Sequence, residues 1–189
     1  MINIRQAIYR FVMILKSRRM TPRPADINFP ADSIFNIEIK SIDGLPVTIA
    51  QFKGKKILIV NVASECGYTP QYKELQQLYK EQIENLVVLG FPSNDFGKQE
   101  PGSNTEIKLF CERRYHVTFP MFEKSHVTGK NKNALYRWLT DAKLNGWNNK
   151  EPEWNFCKYL VDENGMLICL YSETVDPFDE DIIRLVKKN

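Results

Sequence analysis

The 189-residue sequence lacks a Cys-x-x-Cys pair. Its four cysteines, Cys66, Cys111, Cys157 and Cys169, stand far apart, and no histidine pair lies near them. That spacing speaks against a zinc site and against a disulfide scaffold, and it fits a reducing, cytoplasmic setting. Long apolar runs are missing too. The longest, Phe11–Leu15, is too short for a spanning helix or a typical signal core. Repeats and low-complexity tracts do not occur. Acidic residues are absent from positions 1–25, which carry Arg5, Arg10, Lys16, Arg18, Arg19 and Arg23, although the whole chain has a net charge of only +3. The basic excess is therefore terminal, the body carries no basic stripe, and a nucleic-acid partner is not expected.

What is present suits one compact domain, with 43 % hydrophobic residues to fill a core. Residues 2–17 place Ile4, Ala7, Ile8, Phe11, Ile14 and Leu15 on one helical face flanked by basic side chains. Such a helix can make peripheral membrane contact, but packing on its own domain is the preferred reading. The three prolines of residues 21–30 read as a linker, so residues 1–30 form a helix-plus-linker extension and 31–189 the body.

The body alternates strand and helix patterns. Phe35, Ile37 and Ile39 alternate with polar residues, Asp43-Gly44 marks a hairpin, and Val47 and Ile49 follow. KILIVNVAS (56–64) and NLVVLGF (85–91) read as strands buried on both faces. Tyr72, Leu75, Leu78, Tyr79 and Ile83 recur at helical spacing, with Thr69 as candidate N-cap and Pro70 at the first turn. SNTE (103–106) has capping-box spacing ahead of Ile107, Phe110 and Cys111. One further helix carries Leu135, Trp138, Leu139 and Ala142. A second hairpin turns at Asn164-Gly165, and a last helix opens at Asp176-Pro177. This order predicts a thioredoxin-like α/β fold, a central mixed sheet flanked by helices with an N-terminal β-hairpin.

Cys66 closes a buried strand about three residues before a helix. Backbone N–H groups and the helix dipole there favour an anion, so the position suits a nucleophilic thiolate. Position 69 is Thr69, so the attacked group must come from outside, and a peroxide is the simplest one. An inert turn cysteine is the bland alternative. Cys157 and Cys169 fall in apolar strands and read as buried core thiols. Trp154 and Asn155, taken alone, read as a core aromatic and a turn residue.

NVASECGYTPQY (61–72), GFPSNDFGKQEPGSN (90–104) and EWNFCKYLVDENG (153–165), with the hairpin SIDGLPVTIAQFKGKKILIVNVAS (41–64), together resemble the glutathione peroxidase family over about residues 33–186. The resemblance implies that Cys66 is the peroxidatic cysteine and that Trp154 and Asn155 flank its sulfur. It aligns Asp95 with a family glutamine, which replaces an amide donor by a carboxylate that opposes a thiolate or handles a proton. Glu65, where many relatives have lysine, adds negative charge beside the sulfur. Cys111 matches the resolving cysteine of two-cysteine members, although its helical position next to Phe110 also reads as core. Ser93 occupies the other cysteine position of the second block. The short loop 143–153 implies a monomer. The activity implied is reduction of hydrogen peroxide and of organic or lipid hydroperoxides, with thioredoxin or glutathione as reductant and no metal or organic cofactor. A thiol redox sensor or relay is the competing reading, and an inactive binding module a third.

Overall fold

The computed structural model describes residues 20–27 and 29–187; the amphipathic segment 2–17 lies outside them. Strands β4 (Lys56–Val62) and β5 (Leu86–Pro92) lie parallel at the heart of a five-stranded sheet. Antiparallel strands β6 (Lys158–Val161) and β7 (Leu167–Tyr171) extend it from β4, and β1 (Met20–Pro22) closes the far edge against β7. The order β1-β7-β6-β4-β5 and its helical crossovers make this a thioredoxin-like sandwich.

The two faces of β4 show why. Ile57 and Ile59 point into one apolar cluster with Phe91, Leu135 and Trp138. Leu58, Val60 and Val62 point into another with Tyr72, Leu75, Ile107, Cys111 and Ile182. A strand whose neighbours alternate between two cores needs apolar residues at every position, as KILIV supplies. Truncating any of these buried aliphatics to alanine costs about 2–5 kcal/mol.

Helix α1 (Gln71–Glu81) follows β4, and α2 (Asn104–Tyr115) follows β5. The capping box expected at α2 is formed: Ser103 accepts from the Glu106 N–H while the Glu106 carboxylate accepts from Ser103 N at 2.7 Å. The hairpin at Gly44 joins β2 (Glu38–Lys40) to β3 (Pro46–Thr48), a separate two-stranded sheet.

Several expectations change. The linker segment contributes an edge strand, since Met20–Pro22 pairs with Cys169–Tyr171 and Arg23 N–H donates to Ile168 at 2.9 Å. Residues Ile34–Asn36 form a 3-10 turn, not strand, because Ser33 caps them. The helix around Trp138 breaks into α3 (Ala134–Leu139) and α4 (Ala142–Asn145). Thr140 Oγ1 donates to the Tyr136 carbonyl at 2.7 Å, and Asp141 caps α4 instead of continuing α3. The last helix, α5 (Glu180–Val186), starts at the Asp179 cap, and Asp176 caps the turn before it.

Candidate active site

Cys66 sits in the turn between β4 and α1, buried with 7 % of its surface exposed. Thr69 does not cap α1; its hydroxyl accepts from Cys66 N–H at 3.0 Å and donates to the Ala63 carbonyl at 2.8 Å. The side chain that replaces a second cysteine therefore ties down the turn. A run of i→i+3 bonds from Thr69 N–H to Cys66 O, through Gln71 and Tyr72, then leads into the helix. The Tyr68 N–H donates to Cys66 Sγ at 3.4 Å, a backbone amide aimed at the sulfur. Burial raises the Tyr68 phenol, and Glu173, Cys66 and Cys157 push it in the same direction, which marks these four groups as neighbours.

Trp154 and Asn155 lie in the turn before β6, and the framework locks that turn at three points. Asn61, at the end of β4, donates from Nδ2 to Trp154 O at 2.9 Å and accepts from Phe156 N–H at 2.6 Å. Phe156 takes a left-handed conformation, φ +67°. Its carbonyl accepts from the buried Lys158 Nζ at 2.9 Å, which also donates to Val175 O at 2.7 Å. Burial lowers the Lys158 ammonium to about 7. Trp154 packs on the apolar cluster that contains Cys66 and stands 5.9 Å, ring to ring, from Phe96.

Asp95, expected beside the sulfur, faces elsewhere. Its carboxylate meets His126 Nδ1 at 2.6 Å and accepts from Val127 N–H at 2.7 Å and Thr128 N–H at 3.1 Å. Burial raises this carboxyl, but the Val127, His126 and Thr128 donors outweigh it and hold it below its ordinary value. Asp95 is thus an ionised tie between two loops.

The amide at the site is Gln99, which sequence reading missed. Gly97 (φ +59°) and Lys98 (φ +56°) reverse the chain after Phe96, and a Cβ on Gly97 would meet the Trp154 ring at 3.4 Å. The reversal carries Gln99 onto the Cys66 turn, where its carbonyl accepts from Glu65 N–H at 3.0 Å. Gln99 Oε1 accepts from Asn155 Nδ2 at 2.9 Å, which leaves Gln99 Nε2 as an available donor. The available signal was the block's single glutamine, in FGKQEPG, with a turn-forming glycine two residues ahead. Glu65 is exposed, so water and salt screen its charge from the sulfur.

Cys111 lies in α2, 1 % exposed, and burial pushes its thiol up to about 12. Cys157 and Cys169 are core thiols as expected, 2 % and 0 % exposed, both raised by burial. All four cysteines are free.

A buried cysteine at a β4–α1 turn, an amide pair tied to that turn through the Gln99 carbonyl, and a second buried thiol on α2 define a thiol oxidoreductase on a thioredoxin-like frame. Comparison narrows the class. The glutathione peroxidase family model matches residues 34–140. The chain is 46 % identical over 159 residues to glutathione peroxidase-like peroxiredoxin 2 of Saccharomyces cerevisiae, covering 82 % of this chain and 98 % of that one. It is 46 % identical over 154 residues to hydroperoxy fatty acid reductase gpx1 of Synechocystis, covering 77 % and 90 %. The crystal structure of Trgpx in apo form superposes with a TM-score of 0.63 at 35 % identity, covering 84 % and 98 %. The chain belongs to the glutathione peroxidase family.

Proposed function

We propose that this protein is a thiol peroxidase that reduces hydrogen peroxide and organic or lipid hydroperoxides through Cys66. The thiolate attacks one peroxide oxygen, the O–O bond breaks, and the other oxygen leaves as water or an alcohol once protonated. Cys66 is left as a sulfenic acid. The observation that carries this reading is the Cys66 turn itself: an amide N–H directed at Sγ, beside an Asn155–Gln99 pair with a donor to spare. Donors placed where oxygen gains negative charge stabilise that step. Trp154 packs on the cluster that contains Cys66 and closes the site on one side.

Cys111 resolves the sulfenic acid in this reading. Buried in α2, it reaches Cys66 only when the helix opens locally, so each cycle includes that motion. Thioredoxin then reduces the disulfide, with glutathione as the other candidate reductant. Similarity to the hydroperoxy fatty acid reductase supports lipid hydroperoxides among the substrates. A monomer acting in the cytoplasm completes the proposal. Among the described residues, no helix is long and apolar enough to cross a membrane.

The raised, enclosed Cys111 thiol favours one second reading, in which resolution is slow and Cys66 passes its oxidation to a partner protein. Steady-state hydroperoxide consumption with thioredoxin and with glutathione, on wild type, Cys66→Ser and Cys111→Ser, separates the two. Sustained turnover that requires Cys66 supports the peroxidase. A single stoichiometric burst supports the relay, and no consumption by wild type overturns both.

A further inference from the structure

Glu100 follows Gln99 and is 1 % exposed, yet neither of its carboxylate oxygens has a partner of good hydrogen-bond geometry among the described residues. The nearby buried Tyr72 hydroxyl has only the Cys111 thiol within reach, also in poor geometry. Among the described residues, only the Ser64 hydroxyl and backbone N–H reach the Glu100 carboxylate, in poor geometry, and a buried carboxyl so weakly satisfied is costly and calls for a functional reason. Its location offers one. Glu100 lines a cavity of about 380 Å³ between the Cys66 turn, represented by Ser64 and Glu65, and the face of α2, represented by Ile107 and Phe110. Cys111 stands one residue beyond Phe110, so this cavity separates the elements that carry the two thiols.

We propose that Glu100 is the proton-handling residue of the resolving step, which rests on the Cys66 and Cys111 roles proposed above. As α2 opens, the Glu100 carboxylate takes the Cys111 thiol proton. The Cys111 sulfur attacks the Cys66 sulfenic sulfur, the S–S bond forms and the S–O bond breaks. The proton passes from Glu100 to the departing oxygen, which leaves as water. Cys111 is oxidised, the sulfenic sulfur is reduced, and no proton is gained or lost overall.

The surroundings suit that task. Burial pushes the Glu100 carboxyl up to about 7; Ser64 and the Lys124 ammonium lower it and Glu65 raises it. Lys124 does not neutralise it directly, because its ammonium donates to the backbone carbonyls of Pro101, at 3.2 Å, and Gly102. From α1, the Tyr72 hydroxyl faces both Glu100 and Cys111. From α2, Glu106 also lines the cavity but is held by its capping bonds to Ser103. Glu100 in turn raises the Cys111 thiol in the closed helix, after burial itself. A carboxyl titrating near neutrality both accepts and returns a proton efficiently.

The test is single-turnover oxidation with hydrogen peroxide, following Cys66–Cys111 disulfide formation against pH in wild type and Glu100→Gln. Wild type should resolve faster as pH rises through about 7. In Glu100→Gln the resolving rate should fall about a hundredfold, lose that inflection, and leave more sulfenic acid to be trapped by dimedone. A disulfide that forms in Glu100→Gln with the wild-type pH profile overturns the role of Glu100 and leaves that of Cys111 standing. Absence of the disulfide in wild type overturns both. Should Glu100→Gln fail to fold, infrared difference spectra of wild type decide. A transient protonated carboxyl that is missing in Cys111→Ser supports the proposal, and its absence from wild type overturns it.

Discussion

Cys66 and Cys111 are both buried, at 7 % and 1 % exposure, but their surroundings have little in common. Around Cys66 the turn presents hydrogen-bonding groups: the Tyr68 amide at the sulfur, the Thr69 hydroxyl at the backbone, and the Gln99–Asn155 pair alongside. Around Cys111 are α2's own backbone and the apolar cluster of Leu75, Ile107 and Val117, with the Tyr72 hydroxyl and Glu100 as polar neighbours. Burial alone therefore says little about a thiol. At Cys111 burial raises the thiol and keeps it protonated in the closed helix.

The sharpest break in this comparison is at Cys66. Cys66→Ser should abolish hydroperoxide reduction with either reductant, read as peroxide consumption; residual turnover would place the reacting sulfur elsewhere. Next comes Cys111→Ser. Thioredoxin-supported turnover should fall to background while about one equivalent of peroxide is still consumed, because only the second step is lost. Mass mapping of oxidised wild type should find Cys66 joined to Cys111.

A smaller effect is expected at the polar shell. Gln99→Ala should lower kcat/KM for hydroperoxide by about a hundredfold, as loss of one preorganised donor does elsewhere. An effect below twofold would remove Gln99 from the site. Asp95→Asn marks the other end of the scale, with little change in the pH–rate profile of peroxide reduction. Its cost appears in stability, about 1–3 kcal/mol near neutral pH for the lost charge-assisted bonds to the 126–128 segment. The sign follows from the lowered carboxyl: its contribution is complete above the unfolded carboxyl value and is lost as pH falls through the folded one. Urea denaturation at pH 7 and pH 3 should find the gap between wild type and Asp95→Asn largest at the first and narrower at the second.

Much of the fold could be read along the chain, since its signals are local. KILIV demands two apolar faces, SNTE announces a helix start, and Asp43-Gly44 and Asn164-Gly165 turn hairpins, Gly165 with φ +86°. The edge strand Met20–Pro22 was hidden because its three residues owe their conformation to pairing with β7, and two prolines nearby suggest a loop. The break between α3 and α4 was hidden because helical periodicity continues through it, while the Thr140 hydroxyl and the Asp141 cap end one helix and start another.

For the site, the amino-acid sequence by itself determined the strand–turn–helix that holds Cys66, the family blocks, and the place of Cys111 on the following helix. Only the tertiary structure decided which residue brings an amide to the Asn155 side chain. Asp95 and Gln99 lie four residues apart on one loop, and with two left-handed residues between them, Gly97 and Lys98, the first meets His126 and the second meets the Cys66 turn and Asn155. Backbone reversal sets the direction of a side chain, and which neighbours it meets depends on segments far away in the chain. Residue type and spacing do not encode that encounter; the packed molecule does.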